Sequence, residues 1–261
     1  MRGLTTTLLL AALLALLSAC AAPTGGTDLR TASDMTEADR RARLRLELAS
    51  GYFSRGQPET ALDEVKQAIA ARPDIAEAYA LRGLIYASLN QPALADESFQ
   101  RALQLEPNNA DTLHNYGWYL CQLRRWDEAF ARFDAAIAQP QYRDAARSLL
   151  AKGLCEARAG RVAAAERTLT RSYEIDPGNP GTAFNLAEVL YGLGEYERAR
   201  FYLRRLNEQP ATSNAQTLWL AARVEQRLGN AAGVRRFGDE LRQRFPQSAE
   251  ALRFEQGRFD G

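Results

Sequence analysis

Residues 52–74 read YFSRGQPETALDEVKQAIAARPD, and residues 86–108 read YASLNQPALADESFQRALQLEPN. Laid one above the other, Tyr52, Ala61, Ala68 and Pro73 recur as Tyr86, Ala95, Ala102 and Pro107, each 34 residues later. A fixed period of this size marks a chain built from units that cannot bury their apolar faces alone and do so by stacking. A third copy carries Gly117, Ala129, Phe133 and Ala136, again 34 beyond Gly83, Ala95, Phe99 and Ala102. A fourth follows a two-residue insertion near Gln139 to Tyr142, with Gly153, Gly160, Ala165 and Pro177. The fifth has Ala187, Gly194 and Ala199, and the sixth has Ala222, Gly229 and Pro246.

The period is that of the tetratricopeptide repeat, two antiparallel helices per unit. The expected fold is therefore all-α: a right-handed superhelical solenoid of about six repeats, near 42–75, 76–109, 110–143, 146–179, 180–213 and 215–248. Ser248 to Gln256 is expected to form the capping helix that such arrays need at their end. The small residue of the first helix (Gly83, Gly117, Gly153) is expected to face that of the second (Ala95, Ala129, Ala165), letting the axes approach. Gly56, Gly160, Gly194 and Gly229 suit a left-handed cap before the second helix. Pro73, Pro107, Pro177 and Pro246 follow it, where the missing amide stops continuation. Asp74 with Glu77 reads as a capping box for the next helix. Val234 departs from the pattern, standing where the sixth copy should have its second-helix alanine.

Outside the repeats lies an apolar run, Leu8 to Leu17, of ten Leu and Ala residues. As a helix it would reach roughly 15 Å against a hydrocarbon core of about 30 Å, too short to span comfortably. One basic residue precedes it and Ser18 and Ala19 follow, the layout of a secretory leader at 1–19. Leu17-Ser18-Ala19-Cys20 resembles the bacterial lipobox, which implies cleavage before Cys20 and lipid attachment to it. Two or more acyl chains anchor stably where one would not. Ala21 follows the cysteine, whereas inner-membrane lipoproteins favour Asp there, so the expected destination is the outer membrane, facing the periplasm. Residues 20–39 are too poor in bulky apolar groups to order themselves and read as a tether before a repeat domain at 40–261.

Composition limits the chemistry. Of 33 basic side chains Arg2 leaves with the leader, so the mature chain would carry 32 basic and 32 acidic groups. No basic face of the kind that tracks nucleic acid is evident. His114 is the single histidine, which excludes a multi-histidine metal site and leaves no histidine–carboxylate nucleophile set. The glycine-rich DPGNPGT at 176–182 lacks the Lys-Ser/Thr of a phosphate loop and reads as a turn. No enzyme, cofactor or metal is expected.

Cys121 and Cys155 stand 34 apart, on the first helices of the third and fourth copies, which stack side by side. In an oxidising compartment they are expected to form a disulfide, with two buried free thiols as the alternative. Helix phase proposes a binding groove, because the second, fifth, ninth and twelfth positions of the first helices line the concave surface of these repeats. Counted so, it includes Leu46, Phe53, Leu84, His114, Trp118, Leu150, Leu154, Phe184, Tyr191 and Trp219. An apolar stripe of this kind suits an extended or helical segment of another protein, and some of its members are expected to pack between repeats instead.

NYGWYLC at 115–121, within LHNYGWYLCQLRRWDEA, resembles the signature of the PilF/PilW family of type IV pilus biogenesis lipoproteins. The lipobox, the six repeats, the length and LRQRFPQSAE at 241–250 are similar too, so the resemblance covers essentially the whole chain. It implies a non-enzymatic pilotin that binds the pilus secretin, with other pilus assembly proteins as further partners, and promotes the secretin's outer-membrane assembly, or stabilises pili; the chain is expected to be a monomer. Without the resemblance, the residues point to a general periplasmic adaptor recruiting envelope proteins.

Overall fold

Pro58 and Pro92 each stand at the start of a helix, where a missing amide has no intrahelical bond to lose. They open the second helices of two hairpins in the computed structural model, which describes residues 35–259 and is helical with no strand among them. α1 (Glu37–Ser54) pairs with α2 (Pro58–Ala71), α3 (Ala76–Ser88) with α4 (Pro92–Leu105), and α5 (Ala110–Gln122) with α6 (Trp126–Ile137). α7 (Ala145–Arg158) pairs with α8 (Val162–Ile175), α9 (Pro180–Gly192) with α10 (Tyr196–Asn207), and α11 (Ala215–Arg227) with α12 (Ala231–Arg244). A short α13 (Ala249–Glu255) closes the array. The hairpins form a tetratricopeptide-repeat solenoid, in a unit that begins at Arg41. The leader, Cys20 and most of the expected tether lie outside the described residues. The tether's last part is helical, since α1 starts at Glu37 behind hydrogen bonds exchanged between Thr36 and Asp39.

The turns inside the hairpins follow the sequence closely. Gly56, Gly160, Gly194 and Gly229 sit at φ of 71°, 76°, 78° and 71°, the left-handed region that glycine enters without a Cβ penalty. Asn90 and Arg124 adopt the same conformation at φ 55° and 59° in the second and third repeats. Arginine has no local preference for it, so the hairpin's packing imposes it.

The expected Asp74–Glu77 capping box is not formed. Ile75 is the N-cap of α3 with no side-chain hydrogen bond, and Asp74 instead receives Arg72 through two bonds of 2.8 Å. Guanidinium–carboxylate pairing is charge-assisted and bidentate, and it outcompetes a neutral amide for the same oxygens. Asparagine caps three first helices, Asn109 accepting from Thr112 N, Asn179 from Thr182 N and Asn214 from Thr217 N.

The crossing inside each hairpin also differs from expectation. A Cβ on Gly83 would lie 3.0 Å from the Phe99 ring, one on Gly117 3.1 Å from Phe133, and one on Gly153 2.6 Å from Leu169. The glycine thus meets the large residue one turn beyond the alanine, and the fully buried alanines keep the second helix close. In the sixth repeat this position is Gly238, and Phe254 of α13 fills it: a Cβ there would lie 1.9 Å from that ring. The end helix supplies from outside the apolar bulk that Phe99 and Phe133 supply within their repeats. Stacking between repeats is equally specific. Tyr116 of α5 lies on Phe99 of α4 with centroids 5.0 Å apart, and its hydroxyl donates to Asp96 at 2.8 Å.

Candidate partner-binding groove

The first helices stack side by side, so residues at one phase of each form a continuous strip. Phe53, Leu84, Trp118, Leu150, Leu154, Phe184 and Tyr191 lie on it half-buried, available to a partner. Arginines cover two of its aromatic members. The Arg158 guanidinium lies 5.1 Å above the Trp118 ring, and that of Arg223 lies 4.5 Å above Tyr191. Arg227 Nε also donates to the Tyr191 hydroxyl at 3.3 Å. Such contacts hold the rings rigid and give an apolar strip a cationic edge. Sequence reasoning missed these arginines, although each sits on the same helices as the residues it counted.

Three expected groove residues are not on the open strip. Leu46 is 8% exposed because α1 packs it into the cluster with Ala49, Ala61 and Val65. Trp219 is 5% exposed, with the Phe259 ring 5.3 Å away. His114 is 5% exposed. Its Nδ1 and the Ser148 hydroxyl are 2.8 Å apart, and the same hydroxyl bonds Tyr142 at 2.8 Å. The two-residue insertion brings Tyr142 to this chain of bonds. Ser148 is completely buried, so the serine–histidine contact is closed to any substrate and locks the third repeat to the fourth.

Burial lowers the His114 pKa to about 4, helped by the Arg147 charge and opposed by Asp144. The unfolded histidine, near 6.5, takes up its proton first as pH falls. The neutral ring's contribution is therefore full above about 6.5 and is lost as pH drops toward 4. Urea unfolding at pH 7 and pH 4.5 should show an acid loss larger by on the order of 2 kcal/mol in the wild type than in His114→Asn. Parallel losses in the two proteins would remove this role for the histidine.

Two clefts lie along the C-terminal half of the strip. One, of about 360 Å³, is lined by Leu154, Ala157, Val162, Leu169, Asn185 and Glu188, among others. The next, of about 340 Å³, is lined by Phe184, Glu188, Trp219, Arg223, Glu250 and Arg253, among others. Glu188 belongs to both, so they are neighbours. A larger cavity, about 640 Å³, lies away from the strip between α10, α11 and α12. Its buried Glu225 is already held by Arg200 at 2.7 and 3.0 Å and by Asn230 at 2.6 Å, so we assign it no ligand. Among the described residues no His, Cys, Asp and Glu cluster could hold a metal ion, and no helix is long and apolar enough to cross a membrane.

Cys121 and Cys155 meet between α5 and α7, with Cα atoms 5.9 Å apart. The spacing that suggested the pair hides how it works. Gly117 and Gly153 play the same part in their hairpins but are 36 residues apart. Cys121 thus lies four residues past one and Cys155 two past the other. A strict 34-residue repeat would point both cysteines the same way. The insertion turns Cys155 by about 200°, at about 100° per residue, so that it faces Cys121.

Family models for the tetratricopeptide repeat match residues 76–109, 98–131, 117–180 and 156–222. The chain is 30% identical over 210 residues to the type IV pilus assembly protein PilF of Pseudomonas aeruginosa, covering 80% of this chain and 83% of that protein. The solved structure of Pseudomonas aeruginosa PilF matches with a TM-score of 0.73 at 27% identity, over 85% of this chain and all of that one. PilW, described as a widely conserved type IV pilus biogenesis factor, matches with a TM-score of 0.72 at 31% identity, over 81% and 96%. The repeats and the extent of these matches place the chain in the PilF/PilW family of tetratricopeptide-repeat proteins of type IV pilus biogenesis.

Proposed function

We propose that this protein is a lipid-anchored scaffold of the outer membrane, facing the periplasm, that binds the pilus secretin through the strip on its first helices. In this role it promotes the secretin's localisation and multimerisation, or the stability of the pilus, and performs no catalysis itself. The observation that carries the reading is the half-buried aromatic strip with its arginine cover, in a chain of the PilF/PilW family. Rigid aromatic anchors beside guanidinium groups are the usual centres of protein-binding energy. Lipid at Cys20 would confine the strip near one membrane and raise its effective concentration for a membrane-bound partner.

Crosslinked pull-down from membranes tests both parts. Wild type should recover the secretin, and Trp118→Ala should recover at least about fivefold less, the effect of a hot-spot loss of about 1 kcal/mol or more. Equal recovery from a folded Trp118→Ala protein would sink the groove, and cell-wall hydrolases in place of the secretin would favour an envelope adaptor. Cys20→Ala should leave the fold intact and the protein out of the outer-membrane fraction; unchanged fractionation rules out the tether.

A further inference from the structure

Beyond α13 the chain turns back. Gly257 adopts φ +66°, its amide bonds the Phe254 carbonyl at 3.0 Å, and the Arg258 amide bonds the Arg253 carbonyl at 3.0 Å. This is a glycine-ended helix cap, and it carries Phe259 onto the strip. There the Phe259 ring lies against the Trp219 indole with centroids 5.3 Å apart, tilted by 31°. The Phe259 carbonyl accepts a hydrogen bond from Arg223 Nε at 3.1 Å. Trp219 occupies the phase at which Leu150 and Phe184 stay half-buried, and it is closed under the chain's own end.

The geometry points to an aromatic docking subsite at the end of the groove, made by Trp219 and Arg223 and filled in this structure by Phe259. Its partner is an extended protein segment that presents an aromatic side chain to the indole and a main-chain carbonyl to the guanidinium. Phe259 shows both halves of that chemistry in place. The adjoining cleft, open between Phe184, Glu188 and Arg253, gives the residues flanking that aromatic somewhere to go. The occupant is replaceable because it is held by contacts that an incoming segment of the same chemistry can remake. Its side chain is only partly buried at the edge of the C-terminal apolar cluster, touching the Trp219 and Phe254 rings, and its carbonyl takes the bond from Arg223, while Phe254 keeps its separate seat on Gly238. An incoming segment must displace Phe259, so the tail sets a threshold for binding. The inference rests on the groove reading above for the partner's identity alone.

The test is direct binding of a synthetic, amidated Glu-Gln-Gly-Arg-Phe peptide, the sequence of residues 255–259, to the purified full chain. Phe259→Ala should bind it at least about tenfold more tightly than wild type, whose own tail competes. A peptide with Ala for Phe should bind neither. Gly257→Val releases the tail by disfavouring the positive φ while leaving Phe254 on Gly238, so it should match Phe259→Ala even where the latter loosens α13. Equal affinity of wild type and both variants, or equal binding of the two peptides, overturns the subsite. Neither result depends on the secretin, so failure here is distinct from failure of the membrane pull-down.

Discussion

Phe133→Ala should lower stability by about 3–5 kcal/mol, measured by urea denaturation followed by hydrogen exchange in the third repeat. The ring is fully buried between α5 and α6 and packs on Gly117, with His114 meeting its edge at 5.9 Å between centroids. Glycine has no side chain to move into the space, so the cavity persists and its cost adds to the lost transfer energy. Leu169 fills the corresponding place over Gly153 in the fourth repeat. Phe133→Leu should therefore cost less than half as much. A loss below about 1 kcal/mol for the alanine variant would mean that the hairpin collapses around the hole.

Preventing the Cys121–Cys155 link should rank next. The pair is expected to be oxidised, and Cys121→Ala with Cys155→Ala should cost about 3–4 kcal/mol in the chain-entropy model for a loop of this length. The pair joins α5 to α7, and thus the third repeat to the fourth, where the two-residue insertion breaks the repeat's regular spacing. Because a repeat array transmits stability through neighbouring interfaces, its loss should separate unfolding of the two halves. Non-reducing digestion and mass spectrometry check the premise: both thiols alkylated without prior reduction would end this expectation.

The readable features are those whose cause lies within a few residues. Glycine before the second helix, proline at one of its ends and alanine at its fully buried position each act through local backbone geometry or bulk, so their sequence spacing carries their structural meaning. Asp74 shows where local reading fails even at short range, because Arg72, two residues away, competes for the carboxylate that was expected to cap α3. The groove residues divide in the same way. Phe53, Leu84, Trp118, Leu150, Leu154, Phe184 and Tyr191 follow from helix phase, which repeats along the chain. Leu46, His114 and Trp219 share that phase and are buried all the same, Leu46 within its own hairpin, His114 against Ser148 of the next repeat and Trp219 under Phe259 from beyond the end helix.

By itself, then, the sequence determined the repeat, the number of hairpins, the four glycine turns and the family resemblance, since a stacked array multiplies one local rule. Tertiary structure alone decided which glycine takes a ring from its own hairpin and which takes Phe254 from the end helix. It decided that Cys155 faces Cys121, because two added residues turn a helix by about 200° and the spacing of 34 records no angle. It also decided that Trp219 is closed while Trp118 is open, for burial depends on which distant segment arrives, and Phe259 arrives from 40 residues away.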